Sequence, residues 1–137
     1  MSKTGKEMVQ EMYESDFFND PTILQKYLHP EAELYWNAST GFSKMTYSDL
    51  DNMSKEMGKG FVSLRPSVTH VLEDDGKVCI RLTYYLKTIE NPDEEVSTIH
   101  FMAIWELKDG KLYKGYQISL PSDEDPLNID AYSRIKY

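Results

Sequence analysis

The chain has 137 residues, of which 40% are hydrophobic and 28% charged. That composition suits one globular domain spanning 1–137 and excludes a disordered or fibrous chain. Its 15 basic and 23 acidic residues leave a net charge of −8, which argues against a nucleic-acid or anionic-membrane partner, since each needs a basic footprint. No apolar run approaches the ~20 residues that span a bilayer. The start, Met1 to Lys6, lacks the apolar core of a signal peptide, and the lone Cys79 cannot form an internal disulfide. Both point to a reducing, cytoplasmic setting.

In chain order, Thr4 and Glu7 form a capping box that opens a helix to about Phe18. Its apolar stripe is Val9, Met12, Tyr13 and Phe17, and Asp16 takes the stripe's remaining position, putting a carboxylate on the face to be buried. Asp20-Pro21 restarts a second helix carrying Leu24, Tyr27 and Leu28, which His29-Pro30 ends because the residue before proline resists helical geometry. Ala32 to Asn37 alternates as a half-buried strand, and Ala38 to Lys44 reads as a polar link. Thr46 and Asp49 cap a third helix with Tyr47, Leu50, Met53 and Met57, closed by Gly58.

The rest reads as strand. Phe61 to Glu73 contains Pro66, which marks a bulge or an edge position. Asp75-Gly76, Asn91-Pro92-Asp93 and Asp109-Gly110 are turns into Lys77–Glu90, Val96–Lys108 and Lys111–Leu120. Strands this long bend. The tail from Pro121 has no clear period, though Ile129, Tyr132 and Ile135 could form a short packed turn. Acidic runs such as Glu73-Asp74-Asp75 and Asp123-Glu124-Asp125 lack the alternating oxygen ligands and glycine of a calcium loop, and read as solvated turns. Helices first and an antiparallel meander after give an α+β fold, a bent sheet packed against three N-terminal helices.

This order resembles the nuclear transport factor 2-like superfamily, and within it the SnoaL-like branch. The residues that carry the likeness are Leu28-His29-Pro30-Glu31-Ala32-Glu33-Leu34-Tyr35-Trp36 and the hairpin Ala103 to Leu112. The resemblance covers Glu7 to about Leu120. It implies a cone-shaped domain with an apolar pocket, often dimeric through its sheet, and a membership that ranges from isomerases, dehydratases and polyketide cyclases to binding domains without activity. Ketosteroid isomerase-like members use two carboxylates and a tyrosine. An ungapped placement puts the carboxylates at Trp36 and about Met102, and the tyrosine on Met12 beside Tyr13. Cyclases resembling SnoaL carry an aspartate on the last strand, which here reads Tyr116-Gln117-Ile118-Ser119-Leu120. Dehydratase-like members pair an aspartate near the end of the first helix with a sheet histidine. Asp16 falls near that aspartate, while Val62 or Ser63 holds the usual histidine position and the sheet histidines are His70 and His100.

Two readings of function follow. One is a small-molecule-binding protein without strong catalytic machinery, motivated by the apolar residues at Trp36 and Met102. Its pocket is expected to be lined by Trp36, His70, Leu82, Tyr84, Met102, Gln117 and Ser119, with Leu86 and Ile104, and to suit a flat, mostly apolar or aromatic ligand bearing one or two oxygens. The other is a lyase or isomerase with Asp16 and His100 as an acid–base pair and Tyr13 as donor to an oxyanion. This reading places Thr98, His100, Met102 and Ile104 on the concave face. Asp16 reads equally well as a solvated helix end, and His100 as a core histidine with one hydrogen bond. A protein-interaction module is the weakest reading, since nothing marks a peptide groove. Three histidines on separate elements do not make a zinc motif, and no nucleotide-binding glycine motif is present, so no metal or cofactor is expected. On the opposite parity, Tyr85, Phe101 and Trp105 would cover the outer sheet face and hold a homodimer.

Overall fold

The computed structural model of the protein describes residues 4–17, 20–89, 93 and 97–121. The turn expected around Asn91-Pro92 and the tail segment of Ile129, Tyr132 and Ile135 lie outside those residues.

The capping box forms as expected. The Glu7 amide donates to Thr4 Oγ1 at 3.1 Å, opening helix α1 (Gly5–Glu14). The helix stops four residues short of Phe18, where the Ser15 amide and hydroxyl both bond back to the Met12 carbonyl. Asp20 caps a single 3-10 turn (Pro21–Ile23), its carboxylate accepting from the Thr22 amide, and helix α2 (Leu24–Tyr27) follows directly. That helix is shorter than its apolar pattern suggests, because Leu28 already pairs with Leu112 in a strand. Strand β1 therefore runs Leu28–Ala38. The expected polar link is in fact strand β2 (Gly41–Thr46), folded back on β1 as a hairpin. Its residues are almost all exposed, so it carries no alternation that a sequence reading could detect. Thr46 and Asp49 then cap each other's amides to open α3 (Tyr47–Gly60).

Four long strands follow: β3 (Phe61–Asp74), β4 (Lys77–Thr88), β5 (Ser97–Lys108) and β6 (Lys111–Pro121). The six-stranded sheet has the order β2-β1-β6-β5-β4-β3, antiparallel except for the β1–β6 pair. Pro66 lies on β3, an edge strand, where its missing N–H breaks no ladder on the free side. The turns Asp75-Gly76 and Asp109-Gly110 have positive φ at both central residues, the two-residue hairpin geometry whose twist matches the strands.

The helices cover one face of the curved sheet. Between them and the sheet lies the core, which includes Val9, Leu24, Leu28, Val78, Ile80, Leu82, Trp105 and Leu112. The parity of β5 is opposite to expectation. Phe101, Ala103 and Trp105 are buried toward the helices, whereas Met102 and Ile104 stand exposed on the outer face. The cause is visible on β6, where Trp105 faces Gly115 across the ladder. A Cβ on Gly115 would lie 2.7 Å from the indole ring, so only glycine leaves the space in which the ring lies.

A candidate ligand cavity beneath the helices

The inner face of the sheet and the three helices enclose a cavity of about 660 Å³, within the range typical of small-molecule sites. Helix α1 contributes Met12 and Tyr13, with Phe17 just beyond it, and α3 contributes Leu50, Met53 and Ser54. The sheet supplies Leu34, Trp36, Leu64, Tyr84, Leu86, Phe101, Trp105, Gln117 and Ser119. The mouth is formed in part by the β1–β2 hairpin, where Phe42 lines the opening although its side chain is 63% exposed.

Polar atoms inside are few and are held in directed chains. The Trp105 indole N–H donates to Tyr13 Oη at 2.9 Å, and the Tyr13 hydroxyl donates to Gln117 Oε1 at 2.6 Å. The Tyr84 hydroxyl donates to the Tyr13 carbonyl at the end of α1. Trp36 donates its indole N–H to Ser119 Oγ at 2.8 Å, and the Ser54 hydroxyl donates to the Leu50 carbonyl. Burial pushes the Tyr13 phenol well above its ordinary pKa, with the Trp105 bond opposing that shift. Tyr84 moves the same way, by burial first and then by the nearby Tyr13 and Glu14 charges. Both phenols therefore stay neutral at physiological pH.

Of the residues expected at the site, Tyr13, Trp36, Tyr84, Gln117 and Ser119 meet around this cavity. Leu82 is fully buried on the same side but belongs to the core rather than the lining. Met102 is on the outer face, a correction that follows from the β5 parity. His100 shares that outer face, its Nδ1 2.8 Å from Thr83 Oγ1, and burial followed by the neighbouring Arg81 charge lowers its pKa. His70 sits beside the β3 bulge in a separate depression lined by Lys6, Gln10 and Val68 to Leu72, with Nδ1 3.0 Å from Thr69 Oγ1. Asp16 lies beyond the end of α1 and is exposed, so it does not occupy the buried stripe. Asp16 and His100 are thus not brought together at the cavity: neither lines it. Phe101 and Trp105, which sequence reasoning put outside, are central to the lining. The signal that could have placed them was Gly115, since a glycine within a strand often marks close approach of a neighbour. Among the described residues, no group of histidine, cysteine and carboxylate side chains could hold a metal ion, and no helix is long and apolar enough to cross a membrane.

No family model matches the sequence, and no curated protein sequence matches it. Solved structures do match the fold. IdmH from Streptomyces antibioticus, "a putative polyketide cyclase", aligns with a TM-score of 0.68 at 13% identity, over 97% of this chain and 100% of its own. AclR from Streptomyces galilaeus, "a putative hydroxylase", aligns with a TM-score of 0.68 at 17% identity, over 96% of this chain and 82% of its own. A "putative ketosteroid isomerase" from Kribbella flavida aligns with a TM-score of 0.62 at 14% identity, over 89% of this chain and 82% of its own. An NTF2-like protein from Cytophaga hutchinsonii shares the fold as well, with a TM-score of 0.56 at 18% identity, over 82% of this chain and 92% of its own. The chain therefore shares its fold with these proteins, among them an NTF2-like protein.

Proposed function

We propose that the chain is a small-molecule-binding protein that holds a flat, largely apolar ligand in the cavity and has no strong catalytic machinery there. One observation carries the reading. Among the described lining residues there is no Asp, Glu, His, Lys, Arg or Cys, and the two titratable groups, Tyr13 and Tyr84, are both driven toward their neutral forms. General acid–base chemistry near pH 7 needs a group that exchanges a proton there, and burial has moved these phenols the wrong way. The enclosed, aromatic-lined volume suits binding. Two structural neighbours, named as a polyketide cyclase and a ketosteroid isomerase, agree with a cavity for ring systems.

The test is uptake of an apolar fluorescent probe such as anilinonaphthalene sulfonate by the folded protein, with Leu86→Trp and Phe101→Ala as cavity-altering variants. Saturable binding that both variants change supports the reading. A native protein that takes up no apolar probe overturns it. The lyase or isomerase alternative makes a different demand: Asp16→Ala or His100→Ala would abolish turnover of a substrate, although neither residue lines the cavity.

We also propose that the outer sheet face forms a homodimer. The residues that would carry it are not Phe101 and Trp105 but Met102, Ile104, Tyr116, Ile118 and Leu120, which stand exposed on adjacent strands. A contiguous apolar surface of this kind is unusual on a lone monomer. Analytical ultracentrifugation that finds only monomer at micromolar concentration would reject it.

A further inference from the structure

From the directions of the hydrogen bonds beneath the cavity, we infer that the ligand presents two acceptor oxygens, carbonyl or ether in kind, to Gln117 and Ser119. The inference rests on the binding reading above and narrows it. An indole N–H can only donate. Trp105 therefore occupies a lone pair of Tyr13 Oη, which leaves the Tyr13 proton to go to Gln117 Oε1. That direction turns the amide nitrogen of Gln117, with its two protons, away from Tyr13. Among the described residues this nitrogen has no partner, although the side chain is only 5% exposed and lines the cavity.

The same argument applies two residues further along β6. Trp36 can only donate, so Ser119 Oγ accepts, and the Ser119 hydroxyl proton is left over. It too is buried and has no acceptor among the described residues. The other side-chain donors beneath the cavity, on half-buried Trp36 and on Trp105, Tyr13, Tyr84 and Ser54, are already used within the protein.

An unmet buried donor costs more than an acceptor that has one bond and a spare lone pair. The floor of the cavity therefore selects for acceptors. Positions two apart on a strand are roughly 6.5 Å apart, so the two oxygens should be separated by about that span rather than sit on neighbouring atoms.

Anthracene and anthraquinone form a matched pair of flat tricyclic probes, the second adding two carbonyl oxygens on opposite edges of the middle ring. Each would be titrated against protein carrying the fluorescent probe. If each new bond gives about a five-fold gain, anthraquinone should bind about twenty-five-fold tighter than anthracene. Ser119→Ala and Gln117→Leu should each remove roughly a five-fold share of that preference, read as the ratio of the two affinities within each variant, with folding of the variants checked by circular dichroism. Gln117→Met keeps a weak sulfur acceptor for Tyr13 but has no donor, and should behave as Gln117→Leu does. Equal binding of the two probes to the native protein, or a preference that survives in all three variants, overturns the inference and leaves the binding reading standing. If neither tricycle displaces the probe, this inference fails while the binding reading stands; a protein that takes up no probe at all overturns both.

Discussion

Both faces of the sheet carry large apolar side chains but treat them in opposite ways. On the inner face, Trp105, Phe101, Tyr84 and Leu86 are buried around a cavity, and polar atoms are joined in chains whose direction two indoles impose. On the outer face, Met102 is 51% and Ile118 60% exposed, beside half-buried His100 and its partner Thr83. The contrast teaches that apolar content does not decide which side of a strand faces the core. What decides is which side chains find a complementary space, here the indole of Trp105 over Gly115.

The largest effect that would break this comparison is truncation at matched positions on β5. Trp105→Ala should destabilise the fold by about 3–5 kcal/mol through its cavity and the lost bond to Tyr13. Met102→Ala should cost less than about 1 kcal/mol in the monomer, because its side chain is half in water. Urea denaturation measures both. Similar losses at the two positions would refute the assigned parity, and any larger loss at Met102 should depend on protein concentration.

Next in size is Gly115→Ala. The added methyl meets a rigid aromatic ring packed against the core, which cannot swing aside as a flexible chain would. We expect about 1–3 kcal/mol of destabilisation, together with a shift in tryptophan fluorescence. A neutral result would mean that the ring has room to move.

Ile118→Lys addresses the outer face alone. If that face forms a dimer, a charge at its centre should convert dimer to monomer in sedimentation while leaving apolar probe uptake unchanged. Loss of probe uptake would mean that the two faces are not independent.

The smallest effect concerns pH. His100 has its pKa held below the ordinary 6.5, by burial first and by Arg81 second. As pH falls below that ordinary value, the unfolded chain takes up a proton that the folded chain still refuses, so stability decreases through the interval down to the lowered pKa and is fully present above it. Thermal melts from pH 8 to 5 should show a modest decline that His100→Asn flattens. An unchanged slope in the variant would assign the decline to other groups.

Much of the architecture was legible in the chain. The Thr4–Glu7 and Thr46–Asp49 pairs mark their helix starts because capping chemistry is local, and the two Asp-Gly turns mark their hairpins because few residues adopt positive φ readily. The candidate site was legible only in part. Tyr13, Trp36, Tyr84, Gln117 and Ser119 could be named because they lie on elements whose faces were read correctly. Met102 and His100 were misplaced because β5 is apolar on both parities, with Ile99, Phe101, Ala103 and Trp105 on one side and Met102 and Ile104 on the other. In such a strand a slip of one residue exchanges the faces without changing the pattern. Asp16 was misplaced for a different reason. The apolar stripe extends the helical period past Glu14, but the Ser15 side chain and backbone cap the helix before Asp16 can reach the buried face.

By itself the sequence determined the element order, the capped helix starts, the tight hairpins and the helix-on-bent-sheet architecture, because each depends on residues close together in the chain. Only the tertiary structure decided the β1–β2 hairpin, the parity of β5 and the direction of the hydrogen bonds beneath the cavity. Those depend on what a side chain meets across the sheet: Trp105 against Gly115, Tyr13 between Trp105 and Gln117, and Trp36 on Ser119. All of these pairs but Trp105 and Gly115 are separated by scores of residues and leave no periodic trace in the sequence, and it is their contact that gives the cavity its chemistry.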